Sequence, residues 1–174
     1  ETVFNEESQD LDFRVESNGN ANMLFVDGGS DHVNIGTATD LGGVLNVNGQ
    51  TVITTAGVDP QLQLISTEAG ATQAPILDLY RNSSSPADDD TLGQINYYGE
   101  NSADEKIDYV RTRAAIADVT DGDEGGTYVI TTYTSGSQFG RLNILETESV
   151  FNENSADIDF RVESNGNANM LFVD

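Results

Sequence analysis

Asp118, Asp121, Asp123 and Glu124, in the run DVTDGDEGG, are the residues whose types and spacing best suit a bound ligand. A hard divalent cation such as Ca2+ takes several carboxylate and carbonyl oxygens from one flexible turn, and this run offers both. It is not an EF-hand loop. With Asp121 as its first position the twelfth is Thr132, where that loop requires glutamate. Asp88, Asp89 and Asp90 form a second acidic cluster. A solvated turn explains each cluster more simply, so Ca2+ is the one cofactor the sequence raises. His32 is the only histidine and there is no cysteine, so a Ser-His-Asp triad or a zinc site has no raw material. The expectation is a protein that is not an enzyme.

Three weaker signals remain. Asn82-Ser83-Ser84 matches a glycosylation acceptor. Tyr97, Tyr98 and Tyr109 have faces that stack on sugars, but tyrosine is also an ordinary strand residue. Arg14 lies between Asp12 and Glu16, and Arg161 between Asp159 and Glu163. Exposed pairs of that kind contribute under roughly 1 kcal/mol, so they serve register and solubility.

Charge narrows the classes of partner. With 30 acidic against 7 basic residues the formal charge is −23. No basic patch exists for a phosphate backbone, which argues against nucleic acid, and an anionic membrane surface is disfavoured too. No apolar run approaches the roughly 20 residues that span a bilayer, so no membrane insertion is expected. The N-terminus shows no signal-peptide pattern. Salt or divalent cations should stabilise any assembly of chains this acidic.

The elements that must position these residues are organised by a duplication. Glu1–Asp27 and Glu148–Asp174 differ only at Thr2/Ser149, Glu7/Asn154, Gln9/Ala156 and Leu11/Ile158. Copies this close at a long spacing indicate a tandem array. The chain is therefore expected to belong to a longer one, with a turn and strand like Gly28–Thr37 following Asp174. Within each copy, Leu11, Phe13 and Val15 alternate with Asp12, Arg14 and Glu16, the period of a strand with one wet face. Asn18-Gly19 and Asn165-Gly166 suit a type I′ turn with positive φ, which makes each copy a hairpin. The return runs, Met23, Leu24, Phe25 and Val26 and then Met170, Leu171, Phe172 and Val173, point apolar side chains to both faces. With Phe13, Val15, Phe160 and Val162 they are the candidate interface, because a second dry face needs another chain.

Other strands are expected over 32–37, 44–47, 61–67, 74–82, 92–101, 106–119, 127–134 and 139–147. Asn48-Gly49 should turn a hairpin back through Val52 and Ile53. Apolar content is 37%, against about 45–50% in ordinary domains when Gly is counted as well. No segment reads as a confident helix, and the fold class is all-β. Four segments follow: a repeat hairpin at 1–27, a β-hairpin cassette at 28–73, a β-rich module at 74–147 and the second repeat hairpin at 148–174.

The run VDGGSDHVNIGTATDLGGVLNVNGQ resembles the V-x-I-G-T … L-x-V-x-G cassette of bacteriophage tail fibres. The run from Arg81 to Ile130 resembles a module common in fibre-like structural proteins of marine phages. Asn34 stands where the cassette often has Gly, and the Pro usually following Gly-Thr is missing after Thr37. The resemblance implies an elongated, intertwined β-fibre segment and a homotrimer. It also implies a location in a virion tail appendage, or otherwise extracellular, and a role in host attachment through a host-surface glycan or protein. Two alternatives stay open: a tandem-repeat bacterial extracellular filament or adhesin, and a calcium-dependent carbohydrate-binding module.

Overall fold

The computed structural model describes all residues except 1, 2, 6, 8 and 174, and all side chains except theirs and those of 167–169, 172 and 173. The chain is all-β: 40% strand in three sheets, with no helix among the described residues. It divides into two units, Glu1–Ala71 and Thr72–Asp174.

The first unit holds one four-stranded sheet in sequence order: β1 (Phe13–Val15), β2 (Leu24–Asp27), β3 (His32–Ile35) and β4 (Leu45–Val47). The first two pairings are antiparallel, and β3 pairs with β4 in parallel, Asn34 opposite Asn46. Parallel neighbours usually need a crossover of a dozen or more residues. Here the loop between Ile35 and Leu45 is shorter, bent at Gly36 and Gly42, whose φ values are +81° and +90°. Only glycine takes that backbone conformation without strain. The pairing also buries two amides. Asn34 is fully buried and Asn46 nearly so, and Asn46 Nδ2 donates to Asn34 Oδ1 at 2.7 Å.

The second unit holds a five-stranded antiparallel meander: β5 (Thr91–Glu100), β6 (Lys106–Asp118), β7 (Gly125–Thr134), β8 (Ser137–Ile144) and β9 (Ser149–Phe151). Tight turns separate them, Asn101–Glu105 and Ser135–Gly136 among them, with Asp104 and Ser135 at positive φ. A separate hairpin follows, β10 (Phe160–Ser164) with β11 (Asn167–Val173). β9 belongs to the second repeat copy yet completes the sheet of the module before it. The expected boundary at residue 148 is thus crossed by a ladder.

Several expected strands are absent. Val52 and Ile53 do not return against β4, whose outer edge is unpaired among the described residues; the chain leaves the sheet after Asn48. The runs 61–67 and 74–82 keep their alternation but pair with no strand among the described residues. A strand exists only through a hydrogen-bonded neighbour, and period two says nothing about where one is. Arg81 pins the second run to the start of β5 instead, bonding the Thr91 carbonyl at 3.1 Å and the Asp90 carboxylate at 2.8 Å.

The two hairpins also differ from expectation and from each other. Neither Gly19 nor Gly166 takes a positive φ. In the second copy Ser164 pairs with Asn167 across a two-residue turn. In the first the regular ladder stops at Val15 and Leu24, though Met23 N still donates to the Val15 carbonyl and Ser17 N to the Asn20 carbonyl, and side chains add bonds within the loop. Ser17 Oγ accepts from Asn20 N, and Asn20 Oδ1 from Asn22 N. Such local bonds compete with a ladder.

Two substitutions test this local picture. Gly19→Val should change stability by less than about 0.5 kcal/mol, since its backbone is ordinary and nothing lies within 4 Å; a larger loss in denaturant unfolding would restore the strained turn. Asn46→Leu should cost about 1–3 kcal/mol by stranding the Asn34 amide, whereas Asn34→Leu with Asn46→Leu should cost less. A double variant no better than the single would show the pair does not couple.

Candidate functional site

Asp118 ends β6, Asp123 and Glu124 precede β7, and all three line a shallow recess of about 390 Å3. Asp121 is not among its lining residues. Glu146 joins them from the turn after β8, a residue the sequence reading missed. Register explains its arrival: Tyr128 lies opposite Ile144, so the residues just beyond β8 run beside the glycines that open β7. A Cβ at Gly125 would fall on the Glu146 carboxylate, which would have to swing aside.

The electrostatics of this recess are those of a closed turn. Asp118 Oδ1 accepts from Thr120 N at 2.7 Å, and bonds from the Thr120 hydroxyl and amide hold its carboxyl below the usual range. Backbone amides of Glu124 itself and of Gly122 lower the Glu124 carboxyl likewise. The group of acidic side chains whose ligand oxygens come within 4.8 Å of one another among the described residues is a different one: Asp10, Asp12 and Asp27. Extending the β1–β2 ladder one step past Phe13 and Val26 sets Asp12 opposite Asp27, so this cluster was readable from the hairpin. Its oxygens are engaged with the following turn. Asp12 Oδ1 accepts from Gly28 N at 3.2 Å, and Asp27 Oδ1 from Gly29 N and Ser30 N at 3.0 Å each.

The remaining candidates have structural partners. His32 Nδ1 lies 3.0 Å from Asp40 Oδ1. The Asp40 carboxyl is held low chiefly by the Gly42 amide and secondarily by His32, so the carboxylate accepts and Nδ1–H donates. This pair fastens the loop between β3 and β4. Asp88 accepts from Val119 N, Asp89 N donates to the Ile116 carbonyl, and Asp90 receives Arg81. Tyr98 carries the Lys106 ammonium 4.1 Å over its ring, and Tyr109 meets Tyr133 edge-on at 6.3 Å. Asn82 is exposed, as a glycosylation acceptor would be. Arg14 pairs with Glu16 and Arg161 with Glu163, both half-exposed.

The candidate interface stays open within one chain. Phe13, Val15, Met23, Val26, Val162, Met170 and Leu171 are all exposed, and Leu24, Phe25 and Phe160 are half-buried. The side chains of Phe172 and Val173 lie outside the described residues. No protein family matches the chain, and no curated protein matches it.

The lowered carboxyls make a prediction with a definite sign. They bind protons more weakly folded than unfolded, so the turns they close are held above the unfolded values. Those turns loosen as pH falls through the lower folded ones. Carboxyl titration by NMR should place Asp27 and Asp40 below the ordinary 3.8. A midpoint at or above that value for either would mean its turn bonds are not made in solution.

Proposed function

We propose that this chain is a structural segment of a fibrous appendage, a repeat of a homotrimeric phage tail fibre that supports host attachment and carries out no catalysis. The observation that carries the reading is the accessible surface, 13,651 Å2 for 18.6 kDa. A compact monomer of that mass exposes about 8,200 Å2, and the same mass as two separate domains roughly 10,000 Å2. Among the described residues the only buried apolar side chain is Ala115. Apolar area on this scale is what further copies would cover, in the manner of an obligate interface.

Three other features support it. The duplication makes a linear array, single-layer sheets suit lateral association, and the acidic clusters are occupied in closing turns. The area requires only more than one copy; three comes from the resemblance to tail fibres. A host-surface glycan or protein is the partner such a fibre would serve.

Sedimentation and light scattering should give about three times 18.6 kDa, with association weakened when salt is removed. Phe25→Asp combined with Phe172→Asp should dissociate it, and Glu16→Lys should not. A compact, stable monomer at micromolar concentration would overturn the proposal.

A further inference from the structure

The repeat hairpin is preceded in both copies by the same small structure, and only one copy has a neighbour. In the second, β9 lies on the edge of β8, with Leu142 opposite Phe151 and Asn143 opposite Val150. Leu145 N donates to the Glu148 carbonyl and Asn152 N to the Arg141 carbonyl. By the alternation of an antiparallel ladder, the Val150 amide between them faces the Asn143 carbonyl. Asn154 Oδ1 then accepts from Gly140 N at 2.6 Å.

The first copy builds the same piece with no strand against it among the described residues. Asn5 Nδ2 donates to the Gln9 carbonyl and Asn5 Oδ1 accepts from Gln9 N, as Asn152 does with Ala156. Asn5 and Asn152 have φ of 66° and 63°. Phe4 leans on Phe13 at 5.3 Å and 40°, and Phe151 on Phe160 at 4.9 Å and 43°. The loop, its strained asparagine and its aromatic pair are thus already formed, while Val3 and Phe4 stay 47% and 72% exposed. A preformed loop and aromatic pair leave the segment little further ordering to bind.

We propose that Val3–Asn5 is a docking strand for the β8 edge of a second copy of the 72–147 module. Each meander is then closed by the first strand of the next repeat. The expected register is the one seen within the chain: Phe4 opposite Leu142, Val3 opposite Asn143, and Asn5 N donating to the Arg141 carbonyl. Glu7 replaces Asn154, and its carboxylate is likewise an acceptor for Gly140 N. This goes beyond the fibre reading, because it concerns how successive repeats join end to end and holds for any number of chains side by side.

The test adds a module to the full chain: residues 72–147 fused ahead of Glu1, so that Thr147 meets Glu1 as it meets Glu148. Hydrogen exchange at the Val3 and Asn5 amides should slow roughly tenfold or more relative to the unextended chain, towards the rates of Val150 and Asn152 in the same sample. Val3→Pro in the fused chain should restore fast exchange at Asn5. Exchange at Val3 and Asn5 that is unchanged by the fusion overturns the proposal, as does protection of Asn5 that survives Val3→Pro. The readout is per residue, so it fails or succeeds separately from any mass the assembly shows.

Discussion

A sheet one layer thick cannot dry its own side chains, and that constraint governs this molecule. Backbone groups pair laterally between neighbouring strands, from β5 through β9 and from β1 through β4, leaving the outer edges and the bulges. Side chains stand perpendicular to those ladders, and stable domains bury one face of a sheet against a second layer. Among the described residues neither unit supplies one. Ala115 on β6, with strands on both sides, is the exception. What rigidity each unit has therefore comes from hydrogen bonds and side-chain ties along the sheet. Asp108, for example, receives Arg111 at 2.5 Å and Gln138 at 3.3 Å, linking β6 to β8 across β7.

The same constraint explains which parts of the fold were legible. The ends of β6, β7 and β8 fall close to where composition changes from β-branched and aromatic residues to Gly, Asp and Ser. Pairing was not legible, because alternation fixes a face and leaves the partner free. The parallel contact of β3 with β4 rests on two asparagines and two glycines, none of which reads as a strand former. The runs 61–67 and 74–82 have better strand composition than β4 and form nothing. The duplicated loop makes the same point: residues 17–23 and 164–170 are identical and both close a turn between Ser and Asn, yet only the second copy carries its regular ladder to that turn.

Acidic residues were legible as clusters but not as constellations. Asp118, Asp123 and Glu124 share a recess because they are close in sequence. Glu146 reaches them only through the β7–β8 register, which no local window contains. Asp12 and Asp27 face each other through a hairpin the sequence did announce, so that cluster could have been found by extending the ladder one residue. The Asp12, Asp27, Asp118 and Glu124 carboxylates each meet a backbone amide. An acidic side chain with a turn amide to accept from gains charge-assisted hydrogen bonds without any ion.

This use of acid bears on where copies of the chain can approach. A charge of −23 opposes association wherever the carboxylates are dense, over a screening distance of about 8 Å in physiological salt. Between Asp40 and Asp78 the chain carries only Asp59 and Glu68 and no basic residue, so repulsion there is at its weakest. That same stretch holds Val52, Ile53, Leu62, Leu64 and Ile65, all exposed and none in a strand. Low charge, open apolar area and backbone without ladder partners coincide. They are the three conditions under which a β-strand of another chain lowers the free energy by pairing. Elsewhere, at the turns crowded with Asp and Glu, the same physics keeps chains apart and the surface wet. For the assembly proposed above, the distribution of charge along the sequence, more than any one contact, would separate the surface that other copies cover from the surface that faces water.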